Sequence, residues 1–344
     1  MNMGARKTTI FFVILIFIVM TLLGIFFNFT VESGEKNQTD IQLESREAMG
    51  TIITIEVVGV SSSNALDSAF EEIERIEDLM NIYNQDSEIS RINKYGQLDG
   101  VSPDLVYVIN RSIYYGEITG GAFDITILPI RMLWKNKINS GEYPTGDEIN
   151  STLLLVNYSN ISVINDSISL KLEDMIIDLG GIAKGYGVDQ AVTVLKKEGI
   201  ESGYVNAGGD GMYFGTKPDG LPWRVGLRNP DNKTEAITVI EISDMAVTTS
   251  GNYERFFNES ARLSHICDPR TGMSSQSLIS ATVIASSAME ADVLATAVFV
   301  LGPVEGMELI EKTENTEALL ITPERQIIKS SGFDSYEYGK HYIK

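Results

Sequence analysis

The sequence predicts an α+β protein of mixed, largely antiparallel sheets packed with helices. Short runs alternate apolar and polar residues with period two between glycine turns, while longer runs repeat apolar residues at helical spacing. The two kinds intermix without the regular rhythm of a doubly wound parallel sheet. At 344 residues, 43% of them hydrophobic, the chain can bury a large core.

At the start, Arg6 and Lys7 precede an uncharged apolar run from Thr8 to Val31, and Glu32 and Glu35 follow it. About 20 apolar residues cross a bilayer. The segment 1–31 is therefore read as an uncleaved membrane anchor rather than a cleaved signal, whose apolar core is only about 7–15 residues. Basic residues before the run place the remainder of the chain on the extracytoplasmic side. The polar stretch 32–47 reads as a linker, and 48–344 as a single folded domain.

That domain opens on MGTIITIEVVGV, a strand of threonine and β-branched residues. The next segment, SSSNALDSAFEEIERIEDLMN, sets Leu66, Phe70, Ile73, Ile76 and Met80 on one helical stripe with serine capping. A second helix is predicted from Ser102-Pro103, with the proline in its first turn. MIIDLGG is read as a strand, GYGVDQAVTVLKKEG as a helix stopped by Gly199, and YVNAGGDGMYFG and WRVGLRNP as strands with glycine turns. TVIEIS, MAVTTSG, ATVIA, ALLIT and QIIKS follow as strands, with a buried helix MEADVLATAVFVLG and a further helix from Val304 to Lys312 between them.

Charge narrows the function. A formal net charge of −20, from 47 acidic and 27 basic residues, repels nucleic acid and anionic surfaces. Nucleic acid is excluded as a partner. An anionic small ligand needs local donors or a cation. The single cysteine, Cys267, forms neither an internal disulfide nor a thiolate cluster. N-x-[ST] triplets at Asn37, Asn110, Asn150, Asn157, Asn160, Asn165, Asn232 and Asn258 are either glycosylation sites or chance in an Asn- and Ser-rich chain.

Four motifs bear chemistry. Asp292 and Thr296 lie four apart in a helix, so a carboxylate and a hydroxyl share one face, a pair of hard oxygens that suits magnesium. The bland alternatives are dipole pairing for Asp292 and back-bonding for Thr296. DLGGIAKGYGVD leads through paired glycines into a helix N-terminus, with Lys184 adding positive charge. Its spacing matches neither the P-loop nor the dinucleotide fingerprint. NAGGD sets Asn206 and Asp210 around glycines at a strand end, as either a ligand loop or a β-bulge. In HICDPRTG, His265 sits before an Asp-Pro turn, where it can act as a general base or serve structurally. Met49 and Tyr83 are candidates to pack on a planar ring, or core filling.

Together with SEISRIN, GGAFDIT, VGLRNP and TTSGNYERFF, these motifs resemble the ApbE family of FAD:protein FMN transferases, from about Met49 to Lys329. The resemblance implies a magnesium-dependent enzyme of ApbE-like fold. It would split FAD at its pyrophosphate and pass FMN to a threonine hydroxyl of an exported or membrane-bound redox protein, releasing AMP. His265 matches the family's general base, Asp292 and Thr296 its metal ligands, and Gly181 a carbonyl ligand. Met49, Tyr83, Asp124, Lys184, Asp189, Gly209 and Thr249 match positions lining the FAD site. An FAD pyrophosphatase and a non-catalytic flavin-binding protein are the alternatives. The chain departs from many relatives in having no lipobox cysteine, and it carries no acceptor motif of its own.

Overall fold

The computed structural model describes residues 41–59, 64–232, 234–252, 256–258 and 263–339. The apolar run 8–31 and His341 lie outside them. In chain order the strands are β1 (Ile41–Ala48), β2 (Thr51–Val58), β3 (Gln97–Leu98), β4 (Ile161–Ile164), β5 (Ser167–Leu170), β6 (Ser202–Ala207), β7 (Asp210–Phe214) and β8 (Trp223–Arg228). They continue as β9 (Ala236–Ile242), β10 (Met245–Gly251), β11 (Phe256–Asn258), β12 (Leu263–Ser264), β13 (Ser280–Ala285), β14 (Glu317–Ile321) and β15 (Ile327–Lys329). The helices are α1 (Ala65–Met80), α2 (Glu88–Tyr95), α3 (Pro103–Ile118), α4 (Leu128–Asn139), α5 (Gly146–Leu153), α6 (Ala183–Lys197) and α7 (Ala288–Lys312).

The central sheet has eight strands in the order β1-β2-β6-β7-β10-β13-β14-β15, each pair antiparallel. The α+β class with antiparallel sheets is borne out. Period-two alternation divides the sheet's side chains between two cores. Ile53, Ile55, Val205, Met212, Phe214, Ala246, Ala281 and Val283 join the core that holds α1, α6 and α7. Tyr213, Val247, Ile284, Leu319 and Ile321 instead pack with Trp223, Ile240 and Ile242 of the β8–β9 hairpin. A third, smaller cluster joins Ile130 and Trp134 of α4, Ile149 of α5, Leu263 and Cys267.

The stripe of α1 is buried as the spacing predicts, with Phe70, Ile73, Ile76 and Met80 in the core. Ser102 caps α3 through Leu105 N, with Pro103 at the first turn, and Gly199 adopts φ +85° after α6. The apolar helix near residue 290 and the one from Val304 are both present as the two arms of α7, which meet at a kink where Gly302 is non-helical (φ 81°) beside Pro303. Although α7 is long and apolar enough to cross a membrane, with mean hydropathy 1.7, its residues from Ala288 to Val300 are nearly all buried, so it serves as a core helix.

Three expectations are corrected. Residues 41–47, read as linker, are the strand β1: it lies at the sheet edge with alternate residues exposed, so its polar composition hides its pairing with β2. MIIDLGG joins no sheet. Its backbone is satisfied locally, Ile177 N donating to Asn93 Oδ1 (2.7 Å), Asn93 Nδ2 to Ile177 O (2.8 Å) and Asp178 N to Ile125 O (2.7 Å). The residue preceding α1 is Asn64, which makes no side-chain cap, and the serines 61–63 lie outside the described residues.

Candidate active site

β13 passes into α7 through Ser286 and Ser287 alone, so α7 doubles back along the sheet antiparallel to β13 and runs in the same sense as β10. Two acceptors hold its first turn. Ser287 Oγ accepts from Glu290 N (3.2 Å), and the Asp189 carboxylate accepts from Ala288 N (2.8 Å) and Met289 N (2.9 Å). Asp292 follows and is buried; its Oδ2 accepts from Gly185 N of α6 (3.1 Å). This contact requires close helix approach, because a Cβ on Gly185 would stand 2.4 Å from Ala288 O.

Lys184 joins the motifs. Its Nζ lies 3.9 Å from Asp292 Oδ2 and forms an ion pair with Asp210, the first residue of β7. Asp210 Oδ1 in turn accepts from Thr249 N (3.0 Å). One turn beyond Asp292, Thr296 Oγ1 is 3.2 Å from Ser250 Oγ. A Cβ on Gly181 would lie 3.6 Å from Thr296 Oγ1, which puts the glycine turn against this hydroxyl. Gly181, Lys184, Thr249, Asp292 and Thr296 thus converge, and Asp210 and Ser250 join them.

Met49 sits nearby in the β1–β2 turn at φ 51°, its amide held by Glu77 Oε2 (2.7 Å) and its sulfur against Gly187 of α6. Thr51 touches Gly208, whose amide donates to Ile52 O (3.1 Å), so the MGT and NAGGD turns are neighbours. Gly209 (φ +114°) donates to Asn206 Oδ1 (3.0 Å) and faces open space on its Cβ side. Tyr83 is 85% exposed, an aromatic ring available for stacking.

His265 is half-buried in the loop after β12. That loop is braced by Asp268, whose backbone carbonyl accepts from Gly272 N (2.7 Å), and by Trp134 Nε1, which donates to Gly272 O (2.7 Å). Arg270 of the loop flanks Gly121, and Phe123 flanks Gly181, so the GGAF segment links the histidine loop to the glycine turn. Burial pushes the Cys267 thiol up to about 12, which leaves it an inert core residue.

Two predicted residues are otherwise engaged. The Asp124 carboxylate is buried and accepts from Thr126 N (2.8 Å), Thr126 Oγ1 (2.7 Å) and Tyr158 N (2.8 Å), with desolvation raising its pKa. Asp189 caps α7 and is pushed up to about 6 by burial. Thr249 reaches the cluster through its amide only. Its hydroxyl lies 2.8 Å from Thr282 Oγ1, on the sheet face away from α7. The sequence offers Asp210 only as a flank of the NAGGD turn and does not single out Thr248 or Ser250, although the alternation of MAVTTSG already separates 248 and 250 from 249.

The donors present fit a hard divalent cation: one carboxylate, one hydroxyl and a glycine turn beside it, the remaining positions being left for phosphate oxygens and water. Among the described residues no group of three or more His, Cys, Asp or Glu forms a self-sufficient metal cage. Such a cation would therefore bind together with an anionic ligand.

In sequence and fold the chain is similar to known flavin transferases. The chain is 32% identical over 314 residues to the FAD:protein FMN transferase of Vibrio cholerae, covering 88% of this chain and 92% of that protein. It is 29% identical over 313 residues to the Escherichia coli K12 enzyme of the same name, covering 87% and 89%. Among solved structures, the flavin transferase ApbE from Vibrio cholerae superimposes with TM-score 0.76 at 29% identity over 87% of this chain and 99% of that one. The ApbE protein of Thermotoga maritima gives 0.81 at 28% identity, with the same coverage. The ApbE family model matches residues 49–320, and the chain belongs to the ApbE family.

Proposed function

We infer that this chain is an enzyme that transfers the FMN half of FAD to another protein, and we propose that it does so with magnesium, onto a threonine hydroxyl, releasing AMP. The observation that carries the reading is Lys184, which stands between Asp210 and Asp292 with Thr296 one turn away. Two buried carboxylates against one ammonium leave a local negative charge, and an anionic diphosphate enters such a site only with further cationic help.

In this reading Asp292, Thr296 and the Gly181 carbonyl hold the cation, which when bound neutralises diphosphate charge. Lys184 contacts the same diphosphate, and the exposed Tyr83 and Met49 pack on flat rings of the dinucleotide. Gly209 and the Thr249 amide line the approach, while Asp124 and Asp189 shape the site from behind by fixing the 124–126 turn and the start of α7. The acceptor oxygen attacks the phosphorus on the FMN side and the bond to the bridging oxygen breaks. AMP leaves with that electron pair, and His265 takes the acceptor's proton. Positioning and charge neutralisation dominate such a transfer.

The acceptor is an exported or membrane-bound redox protein facing the same side as this domain, with the 8–31 run as the anchor. Incubation of the protein with FAD, magnesium and a candidate acceptor domain tests the reading by mass spectrometry. A gain of one FMN unit on an acceptor threonine supports it. Free FMN accumulating equally with and without acceptor would make the chain a pyrophosphatase instead.

A further inference from the structure

Thr248 is 1% exposed, and its hydroxyl has no hydrogen-bond partner among the described residues. A buried hydroxyl left in that state costs free energy, so an unpaired one beside a polar cluster calls for a ligand or a moving neighbour. Register shows what surrounds it. On β10, Met245, Ala246 and Val247 pair with Tyr213, Met212 and Gly211 of β7, so one further step sets Thr248 opposite Asp210. Its other flank is Val283 of β13.

The third neighbour follows from the parallel course of β10 and α7. Ser250 meets Thr296. Two residues back along a strand is about 6.8 Å and four residues back along a helix is about 6 Å. Thr248 is therefore brought level with Asp292, on the face of β10 that also carries Ala246 and Ser250. Register thus sets Thr248 beside the two carboxylates that Lys184 bridges.

We propose that Thr248 is a positioning residue of the cation site, whose hydroxyl orients the Asp292 carboxylate once the cation is bound. This rests on the magnesium-dependent reading above. The hydroxyl donates to the carboxylate oxygen not facing the cation, as outer hydrogen bonds to metal ligands commonly do. Gly185 N and Lys184 hold Asp292 toward α6, and the Thr248 hydroxyl has no hydrogen-bond partner among the described residues.

Calorimetric titration of the full-length protein with magnesium at saturating FAD tests this, using T248V, T248A and T248S beside the wild type. T248V and T248A are expected to bind magnesium about 10–100-fold more weakly, while T248S, which keeps the hydroxyl, stays close to wild type. Without magnesium, T248V should melt no lower than wild type, because its isosteric methyl replaces an unsatisfied group. Wild-type affinity in both T248V and T248A overturns the inference while leaving the metal reading intact. A wild-type protein that takes up no magnesium overturns both.

Discussion

Lys184 stands 3.9 Å from Asp292 and is ion-paired with Asp210, so one ammonium serves two buried carboxylates on separate elements. Among the described residues, Asp292 Oδ2 accepts a hydrogen bond from the Gly185 amide alone. This uneven balance is the support for the proposal that Asp292 receives the cation.

Asp292→Ala is accordingly expected to lower magnesium-dependent FMN transfer by about 10²-fold or more, the scale of several kcal/mol of charge stabilisation. Transfer measured across a magnesium titration checks it. Unchanged rates at every concentration would remove Asp292 from the metal site.

His265→Asn should slow transfer by about 10²–10⁴-fold while leaving FAD affinity near wild type. Flavin fluorescence titration separates the two. Lost FAD binding with normal residual turnover would contradict a base role, since a base acts on the acceptor.

Asp189 predicts an unusual pH dependence. Burial raises its folded pKa to about 6 from 3.8, so the folded state prefers the protonated acid. The stability it contributes is full below the unfolded pKa and is lost as pH rises through about 6. Urea unfolding of wild type and D189N should give a stability difference, wild type minus variant, larger at about pH 4 than at about pH 7. A difference that grows toward pH 7 would show that the α7 amides outweigh desolvation.

Arg131 of α4 is ion-paired with Asp178, whose other oxygen accepts from Gly180 N (3.0 Å) just before Gly181. Replacing Arg131 with Met leaves a mostly buried carboxylate short of a partner, at a cost of about 1–3 kcal/mol in urea unfolding. A variant as stable as wild type would show that the Gly180 amide alone suffices.

Gly185→Ala tests the contact between α6 and α7. With the Cβ position 2.4 Å from Ala288 O, the helices must part, and the melting transition should drop by the equivalent of about 1–3 kcal/mol. Thermal unfolding reads it, and an unaltered transition would mean that the two helices separate freely.

Most of the fold was legible because its strands and helices have strong local periods. The α1 stripe, the Ser102-Pro103 start, the Gly199 stop and the strands from TVIEIS to QIIKS are all set by neighbours in sequence. The segment 41–47 was misread because an edge strand exposes half its residues, and MIIDLGG because its apolar run pairs with the Asn93 side chain rather than with a strand. Residues 128–170, with α4, α5, β4 and β5, carried no pattern strong enough to name.

The sequence by itself determined the family, the i,i+4 pairing of Asp292 with Thr296, and the glycine turns, since each depends on residue type and short spacing. Tertiary structure alone decided which side chains meet. Lys184, Asp210, Ser250 and Asp292 come together because α7 doubles back beside β10 and α6 packs on it at Gly185. The same packing turned Asp189 into a helix cap and sent the Thr249 hydroxyl to the far face, because a strand's period of two and a helix end's need for acceptors act regardless of motif.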